Sequence, residues 1–287
     1  MIEITSALLT ARIDPFGAEL QSLTDTQGRE YMSSGDPAFW KGRAPLLFPI
    51  IGRLNDDTLR VGGRHYTVEK HGFARRSHFD VVDHDASSVT LRLTDSPATR
   101  AMYPFAFELD ARFAVTGTKL AMTVTVRNPS DAPLPASFGY HPAFAWPLPG
   151  ADRAAHEIVF ECDEPAPLHR VTPGGLIALE PKPSPVTGNY FALTDDLFAD
   201  DALVWTGLNS HGLSYGVPNG ASLGIAFPDT PHLGIWTKPG AAFVCVEPWA
   251  GHADPEGYTG EFRDKPGVIS IAPGMSRSFR MDVTVRT

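Results

Sequence analysis

The chain has 287 residues, of which 43% are hydrophobic and 20% charged, and its formal net charge is -9. That length holds two ordinary domains or one large all-β or α/β unit, with apolar material for a sizeable core. Nucleic acid and anionic membrane surfaces both require a basic footprint, so neither is an expected partner.

The amino terminus, MIEITSALLTARIDPFG, lacks a basic leader followed by a long apolar stretch. No segment approaches the ~18 apolar residues of a membrane helix. The two cysteines, Cys162 and Cys245, form no CxxC unit. They read as reduced thiols, and the expectation is a soluble, cytoplasmic protein.

Along the chain, the first unusual stretch is PLLFPIIGRL, Pro45 to Leu54, an apolar run that ends in Arg53. Taken alone, Arg53 is a surface cation after a core strand. Next comes KHGFAR, Lys70 to Arg75, where His71 beside glycine has the pattern of a hydrogen-bonded turn residue. From there the periodicity is two. Val89, Leu91 and Leu93 alternate with polar neighbours, as do Phe105 through Val115. After the turn Thr116-Gly117-Thr118, so do Leu120, Met122, Val124 and Val126. This region reads as an antiparallel meander.

FGYHPAF, Phe138 to Phe144, follows, with His141 before a proline that favours extended backbone. The proline-rich patch from Glu180 to Pro185 reads as a surface loop. Phe243 to Val246 are apolar on both faces, as in a central strand covered on both sides. The alternation returns in Phe279, Met281, Val283 and Val285. No long window has apolar residues at helical spacing, and 26 Gly and 26 Pro punctuate the chain. The expectation is an all-β protein, a large antiparallel β-sandwich or barrel in a single domain over residues 1–287.

One residue resists a bland reading. In VCVEPWAG, Glu247 ends an apolar strand, and a lone carboxylate taken out of water is costly unless it is paired or protonated. With His141 it makes a candidate acid–base pair. The ten histidines show no HxxxH or HxH spacing, so no metal site is expected.

LLFPIIGRL, KHGFAR, FGYHPAF, IWTKPG and VCVEPWAG, in this order over most of the chain, resemble the aldose 1-epimerase (galactose mutarotase) family, in its shorter bacterial branch. The resemblance implies a mutarotase-like β-sandwich with a sugar-binding cleft across one sheet and no cofactor. Carried over, it makes Glu247 the catalytic base and His141 the catalytic acid. His71 and Arg53 become sugar-binding residues, as does Asp201, with Asp200 adjacent as the alternative. Tyr140 and Trp236 become apolar platforms for a pyranose, and Trp249 a lesser one. The implied partner is a small-molecule sugar, and the protein is expected as a monomer or homodimer.

Exchanging α and β anomers requires a proton taken from the C1 hydroxyl and another given to the ring oxygen, which a carboxylate and an imidazole can do. Three rivals stand beside that reading. A non-catalytic sugar sensor would share the cleft. A hexose-6-phosphate epimerase would require cations such as Lys41, Arg43, Arg75 or Arg76 around the phosphate. A glycoside hydrolase would pair Glu247 with Asp201 and leave His141 without a role.

Overall fold

The computed structural model describes residues 1–286. Its largest sheet has nine strands in the order Tyr190–Ala192, Glu157–Phe160, Gly212–Gly216, Ser222–Ala226, Ser276–Arg286, Lys119–Arg127, Glu108–Thr116, Ser88–Thr94 and Asp80–His84. The expected meander forms its second half. Thr116 pairs with Lys119 across a turn in which Gly117 has φ +56°, a left-handed conformation that glycine adopts without steric cost. The alternation is complete there: Leu109, Ala111, Phe113 and Val115 are buried, and the residues between them are not.

A second sheet runs His169–Arg170, Leu203–Trp205, His232–Trp236, Phe243–Ala250, Phe138–Tyr140 and Leu46–Leu47, with Ala143–Ala145 also paired to Phe243–Ala250. The two sheets meet face to face. Phe138 stacks on Phe279 at 5.0 Å between ring centroids, and the Tyr140 hydroxyl donates to the Phe279 carbonyl at 2.9 Å. Both sheets are antiparallel, as an alternating sandwich requires.

The eight residues Phe243–Ala250 are all buried. Val244, Val246 and Ala250 point into the inter-sheet core. Cys245, Glu247 and Trp249 occupy the opposite face, which loops cover. Double coverage explains the absence of polar alternation in this strand.

Among the described residues the one α-helix is short, Pro97–Met102, and leaves the protein all-β as expected. It spans six residues, too few to show a helical period. Its stability comes from local chemistry: Pro97 at the first position and a reciprocal capping box between Ser96 and Thr99. Among the described residues, no helix is long and apolar enough to cross a membrane.

Candidate active site

The loop-covered face of the smaller sheet holds a cavity of about 250 Å³. That is near the low end of the roughly 300–1,000 Å³ usual for ligand sites and suits one sugar ring better than a chain of them. Strands supply its floor. Glu247 and Trp249 come from Phe243–Ala250, Trp236 from the neighbouring strand, and His141 from just beyond Phe138–Tyr140. Loops supply its walls, among them Trp40, Gly52, Lys70, His71, Arg75 and Asp201.

Glu247 and His141 meet at the floor. His141 Nε2 lies 3.2 Å from Glu247 Oε2, and the two residues are 7% and 2% exposed. Burial raises the Glu247 carboxyl well above the usual carboxylate range, with Asp201 adding to the rise and Lys70 opposing it. Burial lowers His141 to about 3. Both shifts disfavour charge, so the pair favours its uncharged arrangement, carboxyl protonated and imidazole neutral. Trp40 stacks on the His141 ring at 4.8 Å between centroids, and Trp236 meets it edge-on at 6.0 Å.

His71 is set by the backbone. The Gly52 N–H donates to His71 Nδ1 at 3.1 Å, and the His71 N–H donates to the Gly52 carbonyl at 2.8 Å. Because Nδ1 accepts, Nε2 carries the proton and is a donor toward a ligand oxygen. His71 has φ +67° and Gly72 φ +70°. A Cβ on Gly72 would lie 2.1 Å from the Phe48 carbonyl oxygen, so only glycine lets KHGFAR dock on the segment that precedes Gly52.

Trp249 lies flat because its neighbours have no side chains. A Cβ on Gly139 would come within 2.5 Å of one edge of the indole, and one on Gly234 within 2.5 Å of the other. Its paired strands thus leave a slot, and the ring fills it as an apolar floor.

Five of the seven sequence-derived site residues line this cavity together: Glu247, His141, His71, Asp201 and Trp236. Asp201, rather than its neighbour Asp200, is the aspartate in the wall. One expectation requires correction. Tyr140 is no sugar platform: alternation along Phe138–Tyr140 turns it away from Gly139 and His141. Its hydroxyl bonds the backbone of Met122, Val124 and Phe279 in the core. Arg53 stands at the edge of the wall, where a Cβ on the lining residue Gly175 would lie 3.5 Å from its side chain. The chain turns at Gly52, and Arg53 Nε donates to Asp57 at 2.8 Å with the side chain about half exposed. The cations of the wall are Lys70 and Arg75.

Sequence reasoning missed Trp40 and Lys70 as site residues. Lys70 adjoins His71, so the motif itself carried the signal. Nothing in AFWKGRAP marks Trp40, whose ring is brought over His141 by a loop.

A support lies under the wall. Lys265 is 2% exposed; its ammonium donates to the His252 carbonyl at 2.8 Å and sits 3.3 Å from Asp254 Oδ1. Asp254 in turn accepts from the Asn55 N–H and donates its own N–H to the Arg53 carbonyl, both at 2.9 Å. Its carbonyl accepts from the Ile177 N–H at 2.9 Å. One buried ion pair therefore ties together three of the segments that form the wall.

The sequence model of the family described as aldose 1-epimerase matches residues 1–281. A galactose mutarotase-like protein from Lactobacillus casei superposes with a TM-score of 0.92 at 30% identity, with 100% of each chain covered. A galactose mutarotase related enzyme from Lactobacillus acidophilus gives 0.91 at 29% identity, covering 100% of this chain and 97% of the other. In sequence, the chain is 29% identical over 296 residues to the chromosomal LacX protein of Lactococcus lactis subsp. lactis, with 99% of each covered.

Proposed function

From the premise that this chain belongs to the aldose 1-epimerase family, we propose that it is an isomerase interconverting the α and β anomers of an aldohexose. The observation that carries this reading is the contact between His141 and Glu247 at the floor of a sugar-sized cavity. The C1 hydroxyl and the ring oxygen share one carbon, so an acid and a base serving them must stand side by side.

In the reactive arrangement the shared proton is on His141 and Glu247 is the carboxylate. Glu247 removes the proton of the C1 hydroxyl while His141 delivers its proton to the ring oxygen, and the bond between C1 and the ring oxygen breaks. The open aldehyde turns about C1–C2. Closure on the other face then returns both protons by the reverse transfers. Buried, the ionic arrangement is disfavoured until sugar hydroxyls, the Nε2–H of His71 and Lys70 solvate it. Trp249 and Trp236 offer flat apolar surfaces to the ring carbons, and Asp201 an acceptor for a hydroxyl.

Lys70 and Arg75 favour a second reading of the substrate. Among the described residues neither forms an ion pair with a carboxylate, although both line the cavity. Two unpaired cations in a chain of net charge -9 suit a sugar that carries an anionic group, such as a hexose 6-phosphate.

NMR exchange spectroscopy on free aldohexoses and hexose 6-phosphates tests both readings. Anomeric exchange well above the buffer rate, abolished in Glu247→Gln, is expected. Saturable binding of the sugar with exchange at the buffer rate would make the protein a sensor instead.

A further inference from the structure

Cys245 takes no part in the anomer exchange, yet it occupies the same sheet face as Glu247, two residues along the strand. A ring nitrogen of His141, Cys245 Sγ and a Glu247 oxygen all lie within 4.8 Å of one another, and all three residues are buried. They bring together an imidazole, a thiol and a carboxylate, the donor types that bind zinc. Bond lengths of about 2.0–2.3 Å place tetrahedral ligand atoms roughly 3.3–3.6 Å apart. The His141–Glu247 contact, at 3.2 Å, is close to that spacing, and Cys245 Sγ, within 4.8 Å of both, has to move toward them for the set to close.

We propose that the cavity floor binds a zinc-class divalent cation through His141 Nε2, Cys245 Sγ and the Glu247 carboxylate, and that the bound ion blocks sugar turnover. Thiolate and carboxylate together neutralise a double positive charge, so the loaded site is uncharged where it is buried. Cys245 is fully buried behind the lining, whereas His141 and Glu247 line the cavity, so the fourth position would be reached from their side, where a sugar hydroxyl or water completes the tetrahedron. Sulfur and imidazole select zinc or cadmium over magnesium or calcium. The binding is reversible in character rather than structural. His141 Nδ1 has no hydrogen-bond partner, and zinc sites lacking that outer support lose roughly 10–100-fold in affinity. The inhibitory part rests on the isomerase reading above; the binding part does not.

The test uses the full chain, stripped with chelator, and Zn²⁺ or Co²⁺ alone as probes. Calorimetry is expected to show one Zn²⁺ per chain, with affinity at least tenfold weaker in Cys245→Ala. The same variant, which keeps the acid–base pair, is expected to exchange anomers at the wild-type rate and to resist Zn²⁺ at concentrations that stop the wild type. Co²⁺ on the wild type is expected to show a sulfur-to-metal charge-transfer absorption, a readout that stands even if Cys245→Ala does not fold. Absence of Zn²⁺ binding, equal affinity in Cys245→Ala, or a Co²⁺ spectrum without sulfur character overturns the site. Zn²⁺ binding that shows the sulfur signature but leaves exchange untouched overturns the inhibition alone. Failure of any sugar to exchange, with Zn²⁺ still bound through sulfur, overturns the isomerase reading and leaves the site standing.

Discussion

The imidazole of His141 and the carboxyl of Glu247 are in contact, and burial shifts them in opposite directions, His141 down to about 3 and Glu247 upward. Between those limits the pair carries one proton. Below about pH 3 it gains a second and loses its base; above the raised value for Glu247 it loses its only proton and with it the acid. The profile of kcat/KM against pH is therefore expected to be a plateau between those two limits. Its alkaline limb should lie well above the ordinary carboxylate range, and stopped polarimetry from acid to alkaline pH checks this. A limb near 4.5 would show that Glu247 is not buried as described.

Glu247→Gln and His141→Ala are each expected to lower kcat by about 10²–10⁴-fold. Because the two groups act as a unit, the double variant should be little worse than the poorer single one. Additive losses, measured by NMR exchange, would mean the residues act independently.

Glu247→Gln should also stabilise the fold at alkaline pH. Folding raises this carboxyl above its unfolded value of 4.5. Its contribution to stability is complete below that value and is lost as pH rises to the folded one. Glutamine does not ionise, so urea midpoints of wild type and variant should converge in acid and separate, in favour of the variant, toward high pH.

Gly234→Ala places a methyl group within 2.5 Å of the Trp249 ring, which has no room to sink. The indole is expected to tilt into the cavity, raising KM and lowering kcat/KM by up to about 10²-fold. A change in tryptophan fluorescence with the fold retained by circular dichroism would accompany it.

Lys265→Met leaves Asp254 buried without its cation, at a cost of about 3–5 kcal/mol. The wall segments that Asp254 ties together should loosen, so activity falls with stability. Adding Asp254→Asn should recover part of the stability in urea melts, since no buried charge then lacks a partner.

Period-two alternation was enough to read the meander, because each strand has one wet and one dry face. The same rule, applied to Phe138–Tyr140, separates Tyr140 from His141, and that step corrects the platform assignment. Arg53 was harder to read: its direction depends on the turn at Gly52 and on capture by Asp57, both consequences of chain path rather than of local pattern. Trp40 and Lys70 join the site only once loops fold over the sheet. Loop paths leave little trace in periodicity.

The cavity's floor and walls differ in origin, and they are free to change separately. The His141–Glu247 pair and the Trp249 indole belong to strands and strand ends whose backbone is fixed by pairing on both sides. Trp40, Lys70, Arg75 and Asp201 stand on connecting segments that tolerate substitution and insertion. Substitution at the rim can therefore alter what the cavity accepts while the strand-borne residues stay in place. An engineer who wants a new specificity should randomise the rim and leave the strand alone.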